Sequence, residues 1–93
     1  MKWLEIIELR AADGNRAQLD LMLNNLIKEA AKEGRNHATV VYKHTVIKND
    51  FSIHLNHDTM EVESGGSQLG LSIVTNLKEY GLVNHSVWIK RRL

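Results

Sequence analysis

The residues with which this sequence could do chemistry gather in residues 38–58: Lys43, Thr45, His54, Asn56 and Asp58. They offer an ammonium, a hydroxyl, an imidazole, an amide and a carboxylate. If one face of a sheet holds all of them, His54 can act as a general base, because an unperturbed imidazole titrates at about 6.5. We take them as candidate ligand-binding residues. The alternative is a hydrogen-bonded, partly solvated sheet face without a ligand, and the catalytic residues stay unassigned.

The five histidines raise the question of a metal site. His54 and His57 have odd spacing, so on a strand they point to opposite faces. His54 and Asp58 share a face but would lie about 13 Å apart at the rise of a strand. His44 and His57 can lie diagonally across a hairpin, about 7–8 Å apart, but no third ligand accompanies them. Because the chain also lacks cysteine, we predict neither a metal nor a cofactor.

The element that must position these groups is a predicted β-hairpin over residues 38–58. Both arms are rich in β-branched and aromatic residues, and Asn49 and Asp50 suit a two-residue turn. That turn predicts an apolar face with the pairs Lys48–Phe51, Val46–Ile53, His44–Leu55 and Tyr42–His57. It predicts a second, polar face with the pairs Ile47–Ser52, Thr45–His54, Lys43–Asn56 and Val41–Asp58. A three-residue loop would change this register.

Two other stretches have some features of binding motifs. Residues 64–70, SGGSQLG, precede a helix, where glycines can expose backbone N–H groups to an anion, but the Gly-Lys-Ser/Thr ending of a P-loop is missing. We interpret this stretch as a connector. Residues 90–92 are basic, but three charges without an aromatic platform do not predict nucleic-acid binding.

Size and composition limit the class of protein. The chain has 93 residues, no cysteine, no proline and a net charge of +1, which predicts a single domain over residues 1–93 without a general attraction to nucleic acids. No apolar run reaches the roughly 20 residues that a membrane span needs. Glu5 and Glu8 interrupt the first apolar stretch, which argues against a signal peptide. We therefore expect a soluble, cytoplasmic protein.

Two strands are predicted outside the hairpin, over residues 2–11 and 85–90. The first alternates with large apolar residues on both faces: Trp3, Ile7 and Leu9 on one, and Leu4 and Ile6 on the other. The second places Val87 and Ile89 opposite Trp88. Bulky apolar groups on both faces indicate a sheet that is covered on both sides.

Two helices are predicted between these strands. The first runs from a break at residues 12–15 to about residue 33 and ends at Gly34; its apolar stripe is Leu19, Met22, Leu23, Leu26 and Ala30. The second covers residues 67–80 and ends at Gly81. Its apolar arc, from Leu69 to Tyr80, is wider than the roughly 100° that a helix packed on one sheet needs, which suggests a second contact surface.

The predicted order is strand, helix, strand, strand, helix, strand, as in the ferredoxin-like, split βαβ arrangement. This α+β fold has a four-stranded antiparallel sheet with both helices on one face. Its other face stays open to water, and each large apolar side chain exposed there forfeits about 1.5–3 kcal/mol. Such a patch usually marks an interface. We predict a homodimer whose sheets pack face to face.

The element order, the length and the closing stretch LKEYGLVNHSVWIKRRL resemble the dimeric α/β-barrel superfamily, nearest to the antibiotic-biosynthesis-monooxygenase-like domains. The resemblance is one of pattern over nearly the whole chain. It implies dimers formed through the sheets and a small organic ligand. Some members oxidise aromatic polyketides without a cofactor; others degrade haem with an Asn, a Trp and a His. No such trio can be placed here, so the haem activity is not carried over.

The resulting hypothesis is a homodimer that binds a small organic molecule, with cofactor-independent monooxygenase-like activity as the reaction that the resemblance implies. The alternative is a non-catalytic dimerisation or regulatory module whose sheet face exists to dimerise. An RNA-binding ferredoxin-like domain is disfavoured, because the strands lack the clustered exposed aromatics that stack on bases. The sequence does not identify the ligand or the reaction.

Overall fold

The computed structural model of the protein describes residues 1–32 and 38–92. Within them the elements are β1 (Lys2–Ala11), α1 (Arg16–Lys32), β2 (Thr39–Lys43), β3 (Asp50–Asp58), α2 (Gln68–Leu77) and β4 (Gly81–Ile89). The strands form one antiparallel sheet in the order β2-β3-β1-β4. This topology is ferredoxin-like, so the predicted α+β class is confirmed. In the part of the chain described, neither helix is long and apolar enough to cross a membrane.

Both helices pack on one face of the sheet, which we call the covered face. Alternate residues of β1, from Trp3 through Ile7 to Leu9, turn toward the helices and are at most 3% exposed. The core also contains inward residues of β3 and of both helices: Leu19, Leu23, Phe51, Ile53, Leu55, Ile73 and Leu77. The alternation predicted for β1 is therefore confirmed.

The opposite face, which we call the open face, consists of the remaining β1 residues and their cross-strand neighbours. Leu4 and Ile6 lie at its centre and are half-buried. Tyr42 on β2, Leu82 at the start of β4 and Trp88 at its end remain exposed, with 51%, 76% and 57% of their surface accessible. The described helices lie on the other side of the sheet, so neither of them covers this face, which carries both apolar and polar side chains.

The helix α1 packs as its sequence pattern predicts. Leu19 and Leu23 are buried, and Met22 and Leu26 pack against the core. The predicted end at Gly34 and the side chain of Ala30, which completes the predicted stripe, lie outside the described residues.

The boundary between α2 and β4 differs from the prediction. The helix ends at Leu77, and β4 begins at Gly81 rather than at His85. A Cβ atom on Gly81 would collide with the carbonyl oxygen of Arg10, because the strand passes very close to β1 there. This glycine therefore allows two strands to approach each other and does not end a helix.

The predicted hairpin register is wrong, although the hairpin itself is present. Val41, and not Val46, lies opposite Ile53. The difference of five positions is odd, so the first arm presents the opposite face to the helices. The observed pairs are Thr39–Leu55, Val40–His54, Val41–Ile53, Tyr42–Ser52 and Lys43–Phe51.

The cause of the shift lies in residues 44–49, which connect the strands instead of extending β2. The backbone amides of Val46 and Ile47 both donate to Nδ1 of His44, at 3.0 and 2.9 Å. These bonds turn the chain, and both apolar side chains become exposed. Their β-propensity suggested a strand, but an imidazole that accepts backbone amides gives the segment an alternative to the sheet.

Candidate functional site

The structure brings together only part of the predicted ligand-binding set. His54, Asn56 and Asp58 share the open face of β3, whereas Lys43 lies on the other side of the sheet, opposite Phe51. Thr45 lies in the connection between β2 and β3. The changed register separates them, because it reverses the face of the first arm.

His54, the predicted general base, has ordinary sheet contacts. Its Nε2 lies 3.0 Å from the Ser52 hydroxyl, and its ring lies 4.7 Å from that of Tyr42, tilted by 55°. Both partners belong to the open face. His54 is therefore part of a hydrogen-bonded sheet surface in this structure.

A different polar cluster lies on the covered face and is centred on Glu5. This residue alternates with Trp3 and Ile7 on β1 and is completely buried. Its Oε1 accepts hydrogen bonds from the Ser67 amide at 2.7 Å and from Nε2 of His85 at 3.1 Å. Its Oε2 accepts from the Ser67 hydroxyl at 2.6 Å and from Nε2 of His57 at 2.8 Å. These donors match the roughly four acceptor positions of a carboxylate.

The sheet register explains why two histidines meet one glutamate. On β3, His57 pairs with Trp3, and on β4, His85 pairs with Ile7. Glu5 lies between those two positions of β1, so each histidine is its diagonal neighbour across a strand, on opposite sides. Backbones at diagonal positions are about 7–8 Å apart, which long side chains can span.

Ser67 connects the cluster to α2, of which it is the N-cap. It has an extended backbone, with φ −71° and ψ 162°, and its hydroxyl oxygen accepts from the Gly70 amide at 3.0 Å. The same hydroxyl donates to Glu5. One serine thus caps the helix and holds its first turn against the sheet, which helps to fix both partners.

Two glycines allow the helix to approach the carboxylate this closely. A Cβ atom on Gly70 would collide with Oε1 of Glu5 and lie 2.7 Å from its Oε2. A Cβ atom on Gly66, which has φ +101°, would collide with the ring of His85. Part of the stretch interpreted from sequence as a connector, residues 66–70, therefore packs closely against Glu5 and His85.

The hydrogen bonds keep Glu5 ionised. Burial alone raises the pKa of its carboxyl, but the bonds from the Ser67 hydroxyl, His57, the Ser67 amide and His85 outweigh burial and lower the pKa below its ordinary value. An ionised carboxylate only accepts hydrogen bonds. Both imidazoles must therefore donate through Nε2–H, and Nδ1 is the unprotonated nitrogen of each neutral ring.

His57 is the histidine of the cluster that borders open space. Its ring stacks on Trp3, with centroids 4.0 Å apart and an interplanar angle of 24°, and Trp3 is fixed by a bond from its Nε1 to the Thr59 hydroxyl at 2.8 Å. In the described part of the chain, Nδ1 of His57 has no hydrogen-bond partner and no buried side-chain nitrogen or oxygen lacks one. This Nδ1 is therefore not completely buried.

The open space beside His57 is a cleft of about 670 Å³ between the end of β3 and the first turn of α2, called the His57 cleft below. Leu55 and Leu69 give it apolar walls, and Gln68 and Ser72 add polar groups. Asn56 and Asp58, two of the predicted ligand-binding residues, also border it. A smaller depression of about 420 Å³ lies on the open face, where Arg10 and Asp50 form an exposed ion pair.

The cluster of Glu5, His57 and His85 does not have the arrangement of a metal site. Among the described residues, no group of three His, Cys, Asp or Glu side chains is placed to hold an ion. The predicted neighbours His44 and His57 are also far apart. His44 donates its amide to the carbonyl of Asp50, seven residues along β3 from His57, or about 23 Å at the rise of a strand.

Sequence reasoning missed the cluster, although one signal was present. Glu5 occupies an inward position between Trp3 and Ile7, and a buried carboxylate must find donors. Those donors come from β3, from the α2 N-cap and from β4, so no short motif joins them. The sequence interpretation placed His57 opposite Tyr42 on the apolar face of the predicted hairpin, and it gave Ser67 and His85 no function.

Comparisons with protein-family models, with curated proteins and with solved structures find no match to this chain. The strand order and the placement of the two helices show the ferredoxin-like topology, and the function is inferred from the residues of the His57 cleft and of the open face.

Proposed function

We propose that the protein binds a small organic molecule in the His57 cleft. The observation that carries this proposal is the position of His57, whose Nδ1 has no hydrogen-bond partner among the described residues, in the wall of a cleft of about 670 Å³, within the usual size range of small-molecule sites of about 300–1,000 Å³. Apolar walls at Leu55 and Leu69 suit an organic ring or chain. The side-chain amide of Gln68 and the hydroxyl of Ser72 suit polar substituents on it.

Thermal-shift screening against aromatic and quinone-like compounds tests the proposal. A ligand at one hundred times its dissociation constant adds about 2.7 kcal/mol to the free energy of unfolding, which is a clear rise in melting temperature. We expect at least one compound to stabilise the protein and His57→Gln to reduce that stabilisation. His54→Gln is the matched control, because His54 lies on the same strand but on the open face.

Two results would contradict the ligand site. Either no compound stabilises the protein, or the two histidine variants weaken the effect equally. Oxygen consumption in the presence of a stabilising aromatic compound tests the monooxygenase-like reaction that the sequence resemblance implies.

We also propose that the open face packs against the open face of a second copy of the chain, so that the two copies form a homodimer. Its support is the exposure of Tyr42, Leu82 and Trp88 on an otherwise ordered sheet. β1 has ten residues, so with strands about 4.8 Å apart the face projects to roughly 500 Å². The accessible area of a side-chain surface exceeds its projection, which brings it close to the roughly 800 Å² per partner of a standard interface.

The charges of the open face also suit a copy of itself. Lys2 lies beside Asp58 at one end, and Arg10 pairs with Asp50 at the other. Each end therefore carries one positive and one negative side chain. In a dimer whose two-fold axis brings opposite ends together, no group of like charges faces another. A partner whose surface carries many charges of a single sign would not be complementary to ends that each carry both a positive and a negative side chain.

Light scattering over a dilution series tests the dimer. We expect a dimer for the wild type and a monomer for Trp88→Glu, because a carboxylate in the sheet interface would lose its solvation. Leu71→Glu is the control, since Leu71 is also about half exposed but belongs to α2. A monomeric wild type, or loss of the dimer in both variants, contradicts the proposal. A dimer to which no compound binds would favour the non-catalytic dimerisation module.

A further inference from the structure

We propose that His57 is a general base that takes a proton from a phenol bound in the His57 cleft, and that Glu5 is the positioning residue that orients its ring. This inference deepens the proposed ligand site and rests on it. Its structural basis is an imidazole that lines the cleft, whose Nε2 lies 2.8 Å from an oxygen of a buried carboxylate and whose Nδ1 has no hydrogen-bond partner among the described residues.

The orientation of His57 is fixed from two sides. Glu5 holds Nε2, and the ring of Trp3 stacks on one face at 4.0 Å between centroids. Trp3 is itself held through its indole N–H by Thr59. A base that is already oriented needs no further ordering when the ligand binds, which is the usual advantage of a rigid site.

The carboxylate favours a positive charge on His57 without taking the proton itself. An ionised Glu5 facing Nε2 stabilises the imidazolium that forms when Nδ1 accepts a proton. The amide and hydroxyl of Ser67 and the Nε2–H of His85 occupy the other acceptor positions of Glu5. These bonds favour the ionised carboxylate, so the transferred proton remains on the imidazole.

The two histidines of the cluster have different surroundings, and only His57 is assigned as the base. His57 borders the cleft and stacks on Trp3, whereas His85 packs against Gly66 and does not border the cleft. His85 contributes a donor to Glu5. We therefore assign it to the support of the carboxylate and not to the proton transfer.

The proton-transfer step balances without a further reactant. The O–H bond of the phenol breaks and its electron pair stays on the oxygen, which becomes a phenolate. The proton forms a new N–H bond at Nδ1 of His57, and the ring becomes an imidazolium facing Glu5. No electron changes hands, and the total charge of the complex is unchanged.

A phenol is the ligand class that fits both parts of the site. Its hydroxyl is a weak acid, so its proton can pass to an imidazole when the product ions are stabilised. Its ring is flat and apolar, as the walls at Leu55 and Leu69 require. A nitrophenol is a suitable probe, because its phenolate absorbs visible light and its phenol does not.

The experiment measures the visible absorbance of a bound nitrophenol at a pH where the free compound is mostly neutral. We expect binding to the wild type to raise the ratio of phenolate to phenol by about tenfold, equivalent to one pKa unit. His57→Gln should still bind the compound, since glutamine keeps a donor for Glu5, but should lose the increase. His54→Gln, on the open face of the same strand, should behave as the wild type.

Long-range ¹H–¹⁵N spectra of the protein alone provide a test that needs neither a variant nor a ligand. We expect the neutral rings of His57 and His85 to carry their protons on Nε2. A proton on Nδ1 of neutral His57 would overturn the inference, because that nitrogen could not act as the acceptor.

The outcomes separate this inference from the proposed ligand site. If other compounds stabilise the protein through His57 but nitrophenol does not bind, or binds without an increase in phenolate, the site stands and the proton transfer is wrong. If no compound of the screen binds, both are wrong. An equal increase in phenolate with the wild type and His57→Gln would also overturn the assignment of the base.

Discussion

Glu5 on the covered face and Trp88 on the open face are each in the environment that their side chain disfavours. The carboxylate is completely buried and the indole is more than half exposed. Their surroundings differ, however. Every acceptor position of Glu5 is matched by a donor within the chain, whereas the apolar surface of Trp88 has no cover among the described residues.

This difference separates a polar cluster whose hydrogen bonds are all made within the chain from exposed apolar side chains that no described element covers. A buried charge with all its hydrogen bonds is stable as it stands, and among the described residues it leaves Nδ1 of His57 without a hydrogen-bond partner at the border of the cleft. On the open face, Tyr42, Leu82 and Trp88 are more than half exposed, and neither described helix covers them. The covered face therefore supplies the proposed ligand site, and the open face supplies the proposed contact with a second copy.

The largest effect is expected from Glu5→Ala, which breaks the polar centre of the covered face. The amide and hydroxyl of Ser67 and both histidine donors would lose their acceptor in a buried position. We expect a loss of about 3–5 kcal/mol in the free energy of unfolding, measured by urea denaturation. This is a large share of the roughly 5–15 kcal/mol of a typical domain.

The control for this variant lies on the same strand. Glu8 is a glutamate of the open face and is exposed, so Glu8→Ala should change the free energy of unfolding by no more than about 0.5 kcal/mol. Equal effects of the two substitutions would show that the buried cluster contributes nothing special to stability.

The next comparison uses adjacent residues on the two faces, Ile7 and Ile6. Ile7 is fully buried in the core, and we expect Ile7→Ala to cost about 2–5 kcal/mol at any protein concentration. Ile6 lies on the open face, so Ile6→Ala should matter chiefly where the dimer forms. Its cost should therefore fall on dilution; a cost that does not change with concentration would argue against a dimer through this face.

A smaller effect is expected where α2 contacts the cluster. Alanine normally stabilises a helix relative to glycine by up to about 1 kcal/mol. Gly70→Ala should instead destabilise the protein by about 1–3 kcal/mol, because its methyl group would overlap the carboxylate of Glu5. Gly65→Ala is the control, since a methyl group there meets nothing within 4 Å. Stabilisation by Gly70→Ala would mean that α2 lies farther from the sheet.

The two faces were also unequally predictable from the sequence. The alternation of Trp3, Ile7 and Leu9 against Leu4 and Ile6 was enough to predict β1 and both faces, because large side chains on a strand have few alternatives. The periodicity of α1 was equally informative. The register of the hairpin was not, because it depends on hydrogen bonds from the amides of Val46 and Ile47 to His44, which no residue preference encodes.

The candidate site was harder to predict for a different reason. Its parts come from β1, β3, β4 and the α2 N-cap, and they meet only once the strand order is known. Glu5 at an inward position was a usable signal, but its partners could be named only with the register in hand. His54 was chosen from the sequence because it lies among other polar residues, whereas His57 matters because its ring contacts a buried carboxylate and stacks on Trp3.

The smallest expected effect is the acid dependence of stability that Glu5 confers. The pKa of its carboxyl in the folded protein lies below its ordinary value of 4.5, so the folded state binds this proton less readily than the unfolded chain does. Its contribution to the free energy of unfolding is therefore fully present above about pH 4.5 and is lost as the pH falls toward the folded-state pKa. The facing groups that hold the pKa down are Ser67, His57 and His85. Urea denaturation of the wild type and of Glu5→Gln should give a difference that shrinks as the pH falls below about 4.5, while Glu8→Gln shows no such change. A difference that stays constant into acid would mean that the carboxylate of Glu5 is not ionised in the folded protein, and the orientation inferred for the Nδ1 of His57 would then lose its basis.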